Sequence, residues 1–162
     1  MKLIWKVTQV LRDLLKVLGA VALMGMTLVT CADVVGRYLG HPIFGSVEIV
    51  GFLATLAVAL ALPYTHEMKG HIGVEILVNT LSEKKQVVFD LCTSLISVLL
   101  FAVVTWRMTR YAGTFRDSGE VSMSLEFPEH IIIYITAFCF LIFTLTIIEG
   151  IFNAIKLLMG PK

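Results

Sequence analysis

The chain has 162 residues, of which 57% are hydrophobic and only 15% are charged, and its mean hydropathy is +0.89. Soluble domains are about 45–50% apolar and about 25% charged, so this composition excludes a disordered protein, a disulfide-rich secreted domain and a typical soluble enzyme. Lysine and arginine number 13 against 12 acidic residues, which leaves no positive surplus for nucleic acid. We expect one membrane domain, residues 1–162, with lipid as its main solvent.

The first sixteen residues predict a basic amphipathic helix at the membrane surface. Apolar residues recur at helical spacing, and the opposite stripe is polar and largely basic; the apolar set is Ile4, Val7, Leu11, Leu14 and Leu18, and the polar set is Lys2, Lys6, Gln9, Asp13 and Lys16. A cleaved signal peptide is the alternative. It is disfavoured because the basic residues are spread over the whole segment and no clean small-residue cleavage site follows.

Four apolar runs are long enough to cross a bilayer. A spanning helix needs about 20 predominantly apolar residues, and lipid requires every backbone polar group to be satisfied within the segment. The runs do not alternate as barrel strands would. The sequence therefore predicts an all-α membrane protein with spans at 17–38, 47–66, 83–110 and 129–156.

A second amphipathic stretch lies between spans two and three. Val74, Leu77, Val78 and Leu81 follow an i, i+3, i+4, i+7 pattern, and the stretch is too short and polar to span. It predicts a helix over 72–82 that lies in the membrane plane or packs on a partner, with an irregular loop as the alternative.

Lysine and arginine set the expected orientation. With both termini in the cytoplasm, nine of these residues lie inside and four outside; the outer four are Arg37, Arg107, Arg110 and Arg116. Cytoplasmic loops carry the excess of Lys and Arg in multi-pass proteins. The sequence therefore predicts cytoplasmic termini.

Ionisable residues within spans are the first candidates for function. Asp33 and Arg37 are four residues apart and so share a helix face, and Glu48 follows across a short loop. The three are predicted to form one charge cluster, either an ion or proton site or, as their interfacial position favours, a structural cluster that fixes the first hairpin. Glu149 is expected near the cytoplasmic boundary beside water or a basic neighbour.

The sequence offers no catalytic or cofactor motif. The three cysteines have no CxxC spacing. The four histidines fall in loops or at span ends, whereas haem in a membrane bundle would need histidines that face one another from helix interiors. For zinc, His66 and His71 lack two further ligands at suitable spacing. There is no phosphate-binding lysine loop. We therefore expect neither an enzyme nor a bound cofactor or metal.

Four short motifs flank the spans. They are Asp33 to Tyr38, Gly45 to Glu48, His66 to Glu75, and Ser122 to Pro128. In this order, and over nearly the whole chain, they resemble the small membrane subunit of a tripartite ATP-independent periplasmic (TRAP) transporter, the DctQ-type subunit. Glu75 stands where aspartate is more usual, and an aromatic residue before Glu48 is missing.

The resemblance implies a non-catalytic scaffold subunit in the bacterial inner membrane. A large multi-span subunit would bind sodium and an organic acid, such as a dicarboxylate or a sialic acid, and a periplasmic binding protein would deliver that substrate. The stretch containing Val74, Leu77, Val78 and Leu81 would brace the large subunit. The outer loops would receive the binding protein, with the candidate docking residues His41, Arg116, Asp117, Glu120 and Glu126.

Two other classes of function remain open at this point. One is a small proton-coupled exporter that works as a homo-oligomer, with Glu48 or Glu149 as its transport site. The other is a membrane anchor of a respiratory complex.

Overall fold

The computed structural model describes residues 2–68 and 83–159. These residues form four helices: α1 (Lys2–Tyr38), α2 (Ser46–Glu67), α3 (Glu83–Ser118) and α4 (His130–Met159). Within the described residues there is no strand, only an isolated bridge between Val121 and Pro128. All four helices are long and apolar enough to cross a membrane, which confirms the predicted fold class.

The helices form two antiparallel hairpins. Helix α1 packs along α2, α3 packs along α4, and α2 packs against α4, so the two hairpins join through their second helices. The central packing involves α1, α2 and α4, and its buried residues are Leu15, Ala59, Leu60, Cys139 and Ile142. Helix α3 has the least buried apolar segment of the four, which leaves most of its surface to lipid or to another protein.

Helix α1 is continuous from the predicted surface helix into span one. Its apolar part, Thr8–Tyr38, has 31 residues and is therefore about 46 Å long at 1.5 Å per residue, against a hydrocarbon core about 30 Å thick. The helix must therefore tilt in the membrane, or one of its ends must extend beyond the hydrocarbon. The surface position of residues 1–16 stays a prediction.

The face of this first segment that is buried in the bundle is not its apolar stripe. Leu14 and Leu18 of the apolar stripe are about half exposed. The buried positions, all small or polar except Leu15, are Thr8, Arg12, Leu15, Gly19 and Ala22. In a soluble protein the apolar stripe would face the core. In lipid, large apolar side chains can face outward while small and polar residues make the helix contacts.

Helix α3 ends later than predicted, at Ser118. The polar residues after Tyr111 suggest a loop, but Ala112 is fully buried and Gly113 lies beside the Tyr134 hydroxyl. Packing on α4 thus extends α3 to Ser118. The loop between α3 and α4 is therefore shorter than expected and comprises residues 119–129. The predicted amphipathic helix 72–82 lies outside the described residues.

Threonines in the spans satisfy their hydroxyls locally. In the part of the chain that the structure describes, eleven of them donate to the carbonyl oxygen four residues earlier, at 2.8–3.3 Å; they are Thr27, Thr30, Thr55, Thr65, Thr93, Thr105, Thr109, Thr114, Thr136, Thr144 and Thr146. This back-bonding meets the requirement that polar groups in lipid find a partner.

Candidate functional site

The outer end of the bundle, as the predicted orientation defines it, carries the loops 39–45 and 119–129. The first connects α1 to α2 and the second connects α3 to α4. Antiparallel packing of both hairpins places these two loops side by side, and the side chain of Leu125 reaches the position where a Cβ on Gly45 would be. The outer end therefore has one surface built from two loops.

Asp33 ties the end of α1 to loop 39–45. Its Oδ2 accepts a hydrogen bond from Arg37 Nε at 2.7 Å, and its Oδ1 accepts one from the backbone N–H of Ile43 at 3.0 Å. Asp33 is buried while the Arg37 side chain is 58% exposed. The carboxylate thus holds the turn, and the guanidinium remains accessible from outside.

The turn also needs a close backbone approach at Gly36. The N–H of His41 donates to the Gly36 carbonyl at 2.8 Å, and a Cβ on Gly36 would lie 2.5 Å from the His41 carbonyl oxygen. Any side chain at this position would force the turn apart, which explains glycine here.

Glu48 holds the second loop instead of joining Asp33 and Arg37. Its Oε1 accepts the backbone N–H of Ser124 at 2.7 Å, and its Oε2 accepts that of Leu125 at 3.0 Å. The predicted cluster of three charges is therefore brought together only in part. Asp33 and Arg37 form an ion pair. Glu48 instead connects the start of α2 to Ser124 and Leu125, which follow it by 76 and 77 positions in the chain.

Loop 119–129 is closed on itself around Ser122. Ser122 donates its N–H to the Phe127 carbonyl at 2.9 Å, and its hydroxyl accepts the Phe127 N–H at 3.2 Å. The ring of Phe127 then packs on Phe52 of α2 with centroids 5.6 Å apart. Together with Glu48, these contacts give the loop a defined shape on top of α2.

The five candidate docking residues all lie exposed at this end: His41, Arg116, Asp117, Glu120 and Glu126. Arg116 and Asp117 approach to 3.5 Å with side chains 65% and 75% exposed, which is a weak, solvated pair. The four candidate brace residues, Val74, Leu77, Val78 and Leu81, lie outside the described residues.

The inner end contains a buried ion pair between Glu149 and a basic residue that the sequence pattern did not identify. Arg12 Nη1 donates to Glu149 Oε2 at 2.8 Å, with side chains only 3% and 10% exposed. The Thr8 hydroxyl lies 3.5 Å from the same oxygen. The predicted basic neighbour of Glu149 thus exists, and it comes from α1, at a position outside the polar stripe named above, rather than from its own helix. Thr8, Arg12, Leu15 and Gly19 follow one another at steps of 4, 3 and 4 residues and therefore share one helix face. This spacing was the sequence signal that Arg12 could face the bundle.

The central part of each span lacks charged and histidine side chains. None occurs between Lys16 and Asp33, between Glu48 and His66, between Asp90 and Arg107, or between His130 and Glu149. Within the described residues, no group of three or more His, Cys, Asp or Glu side chains could bind a metal ion. The charged groups that the structure brings together therefore connect helices and loops near the ends of the bundle.

These features define a class of protein: a four-span membrane protein that has its charged residues near the helix ends and an ordered outer surface built from loops 39–45 and 119–129. Residues 26–157 match the family described as tripartite ATP-independent periplasmic transporters, DctQ component. No curated protein matches the chain. Because the matched region covers most of the sequence, the chain belongs to the DctQ family and is a small membrane subunit of a TRAP transporter, a multi-pass protein of the inner membrane.

Proposed function

We propose that this chain is a non-catalytic scaffold of a sodium-coupled transporter for organic acids, such as dicarboxylates or sialic acids. It packs on the large transport subunit, and its outer loops receive the periplasmic binding protein. The observation that carries this proposal is the absence of charged and histidine side chains from the centre of all four spans. Secondary transporters bind substrate and coupling ion near the bilayer midplane, often at broken helices.

The two carboxylates considered as transport sites are engaged in structural contacts. Glu48 accepts two backbone N–H groups, and Glu149 accepts Arg12 in a buried pair. Each contact compensates a charge that is removed from water. This favours a scaffold over the proton-coupled homo-oligomer. Family membership favours it over the respiratory anchor.

The orientation follows from the same proposal. Both termini lie in the cytoplasm, as the distribution of lysine and arginine favours. Loops 39–45 and 119–129 then face the periplasm, where a binding protein arrives. No cofactor is needed in this chain, and sodium binds the large subunit.

Transport by the reconstituted complex tests the scaffold role. Proteoliposomes contain both membrane subunits, and the binding protein is added with succinate or N-acetylneuraminate, whichever it retains in calorimetry. The ratio of ²²Na⁺ to substrate uptake is compared for the wild type, Asp33→Asn and Glu149→Gln. We expect an unchanged ratio even where the amount of assembled complex falls. A changed ratio in a fully assembled variant contradicts the scaffold role.

A further inference from the structure

A polar cavity of about 360 Å³ opens at the inner end between α1 and α2. Its walls come from one face of α1 and the end of α2, and the lining residues are Gln9, Arg12, Asp13, Lys16, Tyr64 and Met68. The volume lies within the about 300–1,000 Å³ typical of small-molecule sites. Of these lining residues, Arg12 is the one with a structural role described above, its ion pair with Glu149.

The accessible charges of the cavity are balanced. The Arg12 guanidinium is engaged by Glu149 at 2.8 Å, so among the described lining residues the charges left to a ligand are those of Lys16 and Asp13. Their side chains are 42% and 70% exposed and only 3.6 Å apart. Lys16 Nζ also lies 4.2 Å from the centre of the Tyr64 ring, which fixes the cation on the α2 side. A purely anionic ligand would be repelled by the Asp13 carboxylate, whereas a ligand that carries both charges finds an oppositely charged partner for each.

The cavity lies at the depth of a lipid headgroup. Helix α2, Ser46–Glu67, has 22 residues and is about 33 Å long at 1.5 Å per residue, close to the hydrocarbon core of about 30 Å. Tyr64 lies within one turn of its inner end. Towards the membrane centre, the cavity face of α1 continues into Ala20, Leu23 and Met24. All three are exposed, and Leu23 and Met24 are 53% and 67% exposed. A polar cavity is therefore followed by an exposed apolar track.

We propose that this cavity binds the phosphoethanolamine headgroup of a phospholipid. Lys16 and the Gln9 amide contact the phosphate, and the primary ammonium donates hydrogen bonds to Asp13. The acyl chains lie along Ala20, Leu23 and Met24. A choline headgroup fits less well because its quaternary ammonium has no N–H to donate to the carboxylate. A glycerol headgroup provides no cation for Asp13.

Native mass spectrometry of the full-length chain in detergent tests the site. The chain is titrated with phosphatidylethanolamine, phosphatidylglycerol and phosphatidylcholine that carry identical acyl chains. We expect the ethanolamine lipid to bind first and tightest. Lys16→Gln should weaken that binding about three- to tenfold, which corresponds to the loss of one partly exposed charged contact.

Asp13→Asn is a second variant, and it should change which lipid is preferred. It removes the partner of the ammonium but leaves the cation, so the preference should shift from phosphatidylethanolamine towards phosphatidylglycerol. Asp117→Asn, at the opposite end, is the matched control and should change nothing. Equal binding of all three lipids, a wild-type preference for phosphatidylglycerol, or an unchanged preference in Asp13→Asn overturns the proposal.

Discussion

Arg12 and Glu149 are 137 positions apart in the chain, yet they form a 2.8 Å ion pair with almost no exposure to solvent. The pair connects the first helix to the last, which otherwise contact each other little. Since α1 reaches the second hairpin mainly through this contact and the central core, the pair fixes how the two ends of the chain meet.

Removing one partner of this pair should be more harmful than removing both. Glu149→Ala leaves the Arg12 guanidinium buried without its counter-charge, which costs about 3–5 kcal/mol, whereas replacing both residues with apolar ones is often nearly neutral. We expect Glu149→Ala to lower the midpoint of thermal unfolding in detergent and Arg12→Met with Glu149→Leu to restore most of it. A double variant as unstable as the single one would show that the pair is not the source of the loss.

Glu48 should control the order of loop 119–129. Glu48→Gln replaces a charged acceptor of two N–H groups with an amide, and a hydrogen bond to a charged group is worth about 1.5–3 kcal/mol. Hydrogen–deuterium exchange of peptides that cover Ser124 and Leu125 should become about tenfold faster or more. Glu126→Gln, an exposed carboxylate in the same loop, is the control. Equal exchange in the two variants would contradict the role of Glu48.

Two glycine substitutions should act in opposite directions. Gly36→Ala places a Cβ 2.5 Å from the His41 carbonyl oxygen, while the same change at Gly51 meets nothing within 4 Å. Alanine is favoured over glycine in a helix by about 1 kcal/mol. Gly51→Ala should therefore raise or preserve the thermal midpoint, and Gly36→Ala should lower it. A stable Gly36→Ala protein would mean that the turn can move away at little cost.

Charge reversal on the outer surface should weaken binding-protein docking. With Arg116→Glu, Asp117→Lys and Glu120→Lys combined, more binding protein should be needed for half-maximal uptake, because complementary charges set encounter rates. The variant Lys6→Glu, at the other end, is the control. An unchanged dependence on binding-protein concentration would place the docking surface elsewhere.

The brace hypothesis concerns the stretch with Val74, Leu77 and Leu81. Aspartate at these three positions introduces charges into its predicted apolar stripe and should reduce the amount of large subunit that co-purifies with the chain. Aspartate at the polar positions Asn79 and Ser82 provides the matched control. Full co-purification of the triple variant would refute the brace.

The spans were predictable because lipid demands one simple pattern, an apolar run of sufficient length. The ion pair of Asp33 with Arg37 was also within reach, since four-residue spacing in a helix is a local property. The partners of Glu48 and Glu149 were not, because both are set by which helix packs beside which. The face of residues 8–22 that packs on the bundle could not be chosen from the sequence, for a related reason. Amphipathic spacing identifies two faces of a helix, but whether the apolar one meets protein or lipid depends on the surroundings.

The two outer carboxylates both bind backbone N–H groups of the loops, and Glu48 also interacts with the hydroxyls of Ser122 and Ser124, which lie inward in loop 119–129. Asp33 accepts a hydrogen bond from the backbone N–H of Ile43, and Glu48 accepts hydrogen bonds from those of Ser124 and Leu125. Every residue except proline supplies that amide, so the course of both loops depends little on which side chains they carry outward. Met123, fully exposed beside the anchored amides, could be replaced freely. With the proposed docking role, the side chains of the outer surface can thus change to fit a new binding protein while the helices beneath keep their sequence.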